Sequence, residues 1–167
     1  HPDQDHVGGL PALLENMNIK NVVTTENTAP TGAYRAFEDG VAREGAQRII
    51  ARAGERIILD DGVVLDILFP NKSAKGWETN AGSIVARLSY GDTSFLLTGD
   101  SPQSIEQYLV YKETGKIHAN VLKLGHHGSK TSSSKTFLSA VNPEYAVISA
   151  GKDNRYGHPN KEVIDLL

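Results

Sequence analysis

The chain has 167 residues, 39% hydrophobic and only 22% charged, which is enough apolar mass for one real core and excludes a disordered or fibrous protein. It has no cysteine, so disulfides, thiolate metal sites and cysteine nucleophiles are excluded together, and any metal must sit on histidine and carboxylate. With 17 basic against 20 acidic side chains and a net charge of −3, there is no global basic footprint, and a nucleic-acid substrate would need local contacts.

In chain order, Leu10, Leu13 and Leu14 fall at helical spacing after an opening turn, and Asn21 to Thr25 reads as a buried strand behind them. Ala33 to Ala53 carries Phe37, Val41, Ala46, Ile49 and Ile50 among charges. That spacing predicts an amphipathic helix with Gly54 as its stop. Arg56 to Leu59 and Val63 to Phe69 flank the hairpin dipeptide Asp61-Gly62. The same grammar recurs in Ser83 to Leu88 and Ser94 to Thr98 around Tyr90-Gly91-Asp92, after an aperiodic stretch at 71–81. Ser101 as N-cap, with Pro102 at the first helical position and Glu106 following, predicts a helix to Thr114. A strand at Asn120 to Leu124, a helix at Lys135 to Val141, a strand at Ala146 to Ser149 and a helix opening at Pro159 follow. No repeat, low-complexity tract or domain boundary interrupts the series, so one domain over 1–167 is expected. Hairpins interleaved with helices favour a layered α/β sandwich over a doubly wound parallel sheet. No apolar run approaches the roughly 18 residues of a spanning helix, and no signal-peptide pattern opens the chain, so any membrane or export segment is expected outside it.

The histidines cluster where predicted strands meet loops. His1, Asp3, Asp5 and His6, followed by Gly8-Gly9, place imidazoles and carboxylates beside a sharp turn into a helix, which fits metal ligation better than an exposed polar start. Leu96 to Asp100 ends an apolar strand in a carboxylate, though Gly-Asp after a strand is often only a turn. Leu122 to Ser129 ends another strand in adjacent imidazoles, His126 and His127, flanked by Gly125 and Gly128. Adjacent histidines usually split, one ligating and one facing elsewhere. Asn154 to Pro159 sets His158 beside a helix start, where a capping role and a functional one are equally in keeping. His118 stands alone in a polar turn and is expected to be inert.

Taken in order, His-x-Asp-x-Asp-His-x-Gly-Gly, Thr-Gly-Asp, His-His-Gly-Ser and Gly-His-Pro resemble the metallo-β-lactamase superfamily. Within it they look most like the hydrolase domain that ends the ComEC family of DNA-uptake channel proteins and its stand-alone relatives. The resemblance implies an αββα sandwich, incomplete at its N-terminal end because the family has leading strands before the opening motif. It also implies a dinuclear centre of Zn or Mn. Asp3 stands where the superfamily more often has a second histidine. Carried over, His1 and Asp3 belong to the first metal and Asp5 and His6 to the second. Asp100 matches the bridging carboxylate, and His126 or His127 the late ligand. No histidine lies between His6 and Asp100, so the first site is a ligand short unless Asn80, His158 or water fills it.

Two bridged divalent ions would deprotonate water near neutral pH without any side-chain nucleophile, and three carboxylates would leave a net charge of about +1, suited to a phosphodiester. Asp5, Asp100 and His158 are then the expected catalytic groups. Ser129, Lys130, Asn154 and Arg155 are expected to contact substrate, with Lys123, Lys161, Thr131, Ser132 and Ser133 as further phosphate donors. The expected function is metal-dependent phosphodiester hydrolysis, with DNA as the family-implied substrate. The alternatives are a phosphocholine or small-ester hydrolase, and a catalytically weak nucleic-acid-binding domain of a channel assembly. A membrane-channel parent chain would put this domain on the extracytoplasmic face of the membrane; a stand-alone relative would be cytoplasmic or secreted.

Overall fold

The structure is a computed structural model that describes residues 1–167. Two short helices open it, α1 (Gln4–Val7) and α2 (Leu10–Asn16), followed by strand β1 (Asn21–Thr24) and helix α3 (Gly32–Glu44). The helix predicted to reach Ala53 ends nine residues earlier. Gly45 takes a left-handed conformation (φ 69°) that closes the last turn, and Gln47–Ile50 becomes strand β2, parallel to β1. Ile49 and Ile50, spaced to serve a helix face, are β-branched and pair instead with Val23 and Thr24.

Strands β3 (Arg56–Asp60), β4 (Val63–Phe69), β5 (Val85–Tyr90) and β6 (Thr93–Leu97) form an antiparallel series at the expected turns. β7 (Val121–Lys123) and β8 (Tyr145–Val147) join parallel to β6, giving a six-stranded mixed sheet in the order β3-β4-β5-β6-β7-β8. Helices α4 (Gln103–Lys112), α5 (Lys135–Val141) and α6 (Lys161–Ile164) complete the chain. Pro102, not Ser101, is the N-cap of α4, and the Ser101 hydroxyl makes no capping hydrogen bond.

The main core lies between one face of the large sheet and α4, α5 and α6, joining Leu96 and Leu122 to Leu109, Phe137, Val141 and Val163. On the opposite face Ile67 and Ala86 meet Ala51 and Val23, so the small β1-β2 sheet packs against the large one there. Helices α1, α2 and α3 cover the far side of the small sheet through Val7, Leu14, Phe37 and Val41, with Val22 packed against them. The layers therefore run helix, sheet, sheet, helix, the αββα order expected. The small sheet covers only part of the inner face. Phe95, Leu97, Tyr145 and Val147, on that same face by register, are 39 to 67% exposed.

Candidate metal centre

Because β6, β7 and β8 run parallel, the segments that follow them emerge along one sheet edge, and α1 brings the N-terminus to the same place. Asp100 follows β6 through Gly99, whose positive φ of 55° and close neighbour Ser83 exclude a side chain. Ser83 Oγ accepts the Asp100 backbone N–H at 3.0 Å and fixes the carboxylate's approach. After β7, His126 and His127 both lie in left-handed backbone conformations (φ 48° and 55°), an uncommon geometry for non-glycine residues that turns their side chains apart. They are in a tight turn, not on the strand end from which the sequence expected them to diverge.

Asp100 is nearly buried, and its Oδ2 is the hub of the cluster. The Nε2 atoms of His6, His1, His127 and His126 lie 3.2, 3.6, 3.7 and 3.9 Å from it. Burial alone would raise the Asp100 pKa, but the imidazoles of His1 and His6 outweigh it and hold the carboxyl well below the usual carboxylate range. Asp5, on α1, places Oδ2 at 3.0 Å from His127 Nε2 and 3.9 Å from His6 Nε2. Asp3 Oδ2 lies 3.6 Å from His1 Nδ1.

A metal ion fits this donor set. Both ring nitrogens of His1, His6 Nε2 and Asp100 Oδ1 are buried without a hydrogen-bond partner, a cost that native interiors rarely leave uncompensated. Ligating atoms of Asp5, His6, Asp100 and His127 all lie within 4.8 Å of one another, close to the span of donors on an ion bonded at roughly 2.0–2.2 Å. His127 Nδ1 donates to the Ser149 carbonyl at 2.7 Å, which fixes the tautomer and leaves Nε2 facing the carboxylates.

The remaining singled-out residues fall in three groups. His126 Nδ1 and Thr131 Oγ1 share a hydrogen bond at 3.1 Å, and Thr131 contacts Ser129 Oγ at 3.0 Å, so part of the Ser/Thr run supports the centre. His158 packs edge-on to His126, with ring centroids 5.5 Å apart, at the rim. Burial first, and then the imidazoles of His126 and His127, push its pKa down. Arg155 is exposed beside it, over the Tyr156 ring that stacks on His158, and Lys130 is exposed on the turn that follows Ser129. Other polar groups are occupied elsewhere. Asn154 spends its amide inside its own loop, donating to the carbonyls of Gly151 and His158 and accepting from the N–H groups of Tyr156 and His158. Lys123 gives its ammonium to the Leu124 carbonyl, Lys161 pairs with Asp165, and Ser132 Oγ donates to the Ser101 carbonyl. Ser133 donates its backbone N–H to buried Glu106. His118 contributes only its backbone carbonyl, to Arg87.

Two supports were not legible in the sequence. Thr79 Oγ1 donates to Asp3 Oδ2 at 2.9 Å across a separation of 76 residues, and Ser149 orients His127 through its carbonyl. Thr79 directly precedes Asn80, the residue weighed for the ligand-short site, but nothing local marks it.

Comparison with known proteins places the chain among relatives. The family model described as the metallo-beta-lactamase superfamily matches residues 1–152. The chain is 36% identical over 172 residues to ComE operon protein 3 of Bacillus subtilis (strain 168), covering all of this chain and 21% of that protein. It is 37% identical to competence protein ComA of Neisseria gonorrhoeae over 163 residues, covering 98% of this chain and 21% of the relative. Recombination protein 2 of Haemophilus influenzae is 34% identical over 167 residues, with 19% of its length covered. The chain thus spans about a fifth of the length of these relatives.

Proposed function

Since the chain belongs to the metallo-beta-lactamase superfamily, we propose that its His/Asp cluster is the centre of a metal-dependent hydrolase that cleaves phosphodiesters, with DNA as substrate. The observation that carries this reading is the buried Asp100 carboxylate, ringed by four imidazoles, with both ring nitrogens of His1 and Nε2 of His6 buried without a partner. Relatives named for competence and recombination support DNA as the diester.

Asp5, His6, Asp100 and His127 would hold one divalent ion, and His1, Asp3 and Asp100 a second, with Zn and Mn both compatible with imidazole and carboxylate donors. When bound, the pair supplies Lewis-acid activation of water and of the phosphoryl oxygens. The protein's part is placement. Asp100 stays ionised because His1 and His6 oppose its burial, and Ser83 fixes its backbone. Thr79 orients Asp3, Thr131 orients His126, and Ser149 orients His127. His158, whose pKa is pushed down by burial, offers a proton-accepting nitrogen at the rim. Arg155, over the Tyr156 ring that stacks on His158, brings positive charge to that side, which favours an anionic diester over a cationic choline ester.

No helix of the chain is long and apolar enough to cross a membrane. The setting proposed with this activity is a much longer channel-forming chain, with the hydrolase part on the extracytoplasmic face. The test is cleavage of bis(4-nitrophenyl) phosphate and plasmid DNA by metal-loaded protein, with Asp100→Ala as control. Turnover of both substrates, lost in the variant, is expected; hydrolysis of a carboxylic ester with neither diester touched would overturn the reading.

A further inference from the structure

The loop between β8 and α6 carries an aromatic residue that neither the core nor the metal centre uses. Tyr156 is 63% exposed, yet it is not loosely held. Asn154 accepts its backbone N–H and that of His158 and donates to the carbonyls of Gly151 and His158, so one amide side chain staples the loop at four points. The Tyr156 ring stacks on His158 with a 22° interplanar angle and centroids 5.7 Å apart. The Arg155 guanidinium lies over the same ring, Cζ 4.8 Å from its centroid, and donates to Tyr156 Oη at 2.5 Å. Tyr156, His158, Asp5 and His127 line one cleft of about 290 Å³, so the aromatic wall and the metal-ligating carboxylate face a shared space.

We propose that Tyr156, backed by Arg155 and His158, is a stacking platform for the nucleobase next to the phosphate bound at the centre, which makes it a specificity-determining residue for nucleotides. The inference rests on the phosphodiester reading and narrows its substrate class. A rigid, exposed aromatic ring gains from a planar partner, and every nucleobase has a π face, so such a platform selects nucleotides without selecting sequence. The guanidinium adds a planar cation, which stacks on a base and attracts the adjoining phosphate at once. A phosphate at Asp5 and His127 and a base on Tyr156 would share this one cleft.

The test compares thymidine 5′-monophosphate with 2-deoxyribose 5-phosphate, ligands that share a phosphomonoester and differ by the base. Their binding to Mn²⁺-loaded protein is measured by titration calorimetry. The parent should bind the nucleotide about tenfold more tightly than the sugar phosphate, the size expected for one base stacked on an aromatic ring. Tyr156→Phe should keep that preference, and Tyr156→Ala should reduce it to less than about twofold. Equal binding of the two ligands by the parent, or a preference unchanged in Tyr156→Ala, would overturn the platform. Turnover of bis(4-nitrophenyl) phosphate, measured on the same samples, judges the phosphodiester reading separately. A parent that cleaves the diester but shows no base preference retains the reading and loses the platform.

Discussion

His127 Nε2 and Asp5 Oδ2 meet at 3.0 Å across 122 residues of sequence, while the neighbouring His126 makes no contact with Asp5 and turns to Thr131. The two adjacent imidazoles therefore have different work. His127 faces both carboxylates with its tautomer set by Ser149, whereas His126 stands 3.9 Å from Asp100 at the edge of the cluster. Substitution to alanine should separate them. His127→Ala is expected to weaken metal binding by at least about 100-fold, as loss of a direct ligand does, and His126→Ala by about tenfold or less. Equal losses in a metal-competition titration would contradict this division.

Asp5→Ala and Asp100→Ala should each lower diester hydrolysis at least about 1000-fold while the protein stays folded, since neither supplies apolar core contacts. Rates on metal-loaded samples, with circular dichroism as the fold control, decide this. His118→Ala should change neither rate nor fold, because its backbone carbonyl alone is engaged.

Thr79→Val should act on metal affinity rather than on fold. Its hydroxyl holds Asp3 at 2.9 Å, and removal of such an outer partner costs roughly 10–100-fold in affinity. The loss should appear in filling of the His1/Asp3 site and leave the Asp5/His6 site within about twofold. A variant that fills both sites like the parent would remove Thr79 from the site.

Glu106 is fully buried on α4 and accepts the N–H groups of Ser133 and Ser134, tying that helix to the start of α5. Burial raises its pKa, against the two backbone donors. The folded state therefore holds the Glu106 proton to higher pH than the unfolded chain. The stabilising contribution of protonation is present below the ordinary glutamate range and is lost as pH rises through the raised value. Glu106→Gln should flatten that part of the stability–pH curve. Glu106→Ala should lower stability by roughly 2–4 kcal/mol by orphaning two buried donors, measured by urea unfolding.

Much of this was legible in the sequence because it is written locally. Asp61-Gly62 and Gly91-Asp92 mark hairpins by turn chemistry, and the Asp100 and His126-His127 motifs follow β6 and β7, whose shared direction gathers them. The end of α3 was not legible, since Ala46, Ile49 and Ile50 satisfy a helical period. Only the left-handed Gly45 and the pairing partner β1 decide for a strand. Thr79 and Ser149 were hidden for a different reason: their contacts to Asp3 and His127 form through space, and nothing in their neighbourhoods marks them. Asn154 was visible as a motif residue, but its hydrogen bonds show a loop staple where the sequence suggested a substrate contact.

The exposed inner face of the large sheet has a measurable consequence for residues 1–167. Phe95 and Leu97 on β6 and Tyr145 and Val147 on β8 expose apolar surface on either side of Val121 and Lys123, and such surface binds hydrophobic dyes. Bright dye fluorescence from the native chain is expected, falling by about half or more in Phe95→Lys with Leu97→Lys while helix content is unchanged. Dye signal that is absent in the parent, or indifferent to these changes, would contradict the packing described.

The central claim is that this His/Asp cluster holds two catalytic ions for diester cleavage, and its metal dependence tests that most directly. Asp3 adds an oxygen donor where the superfamily more often has nitrogen, which makes the His1/Asp3 site harder and favours oxygen-tolerant ions. Affinity alone still favours Zn²⁺ over Mn²⁺ by the Irving–Williams order, so the tightest ion and the best activator can differ. The measurement strips the protein with chelator, titrates Zn²⁺ and Mn²⁺ separately, and follows bound metal alongside plasmid cleavage. Activity is expected to rise as the weaker, ligand-poor site of His1 and Asp3 fills, with Mn²⁺ supporting cleavage at least as well as Zn²⁺. Two tightly bound Zn²⁺ per chain with no cleavage of DNA under either metal would contradict it.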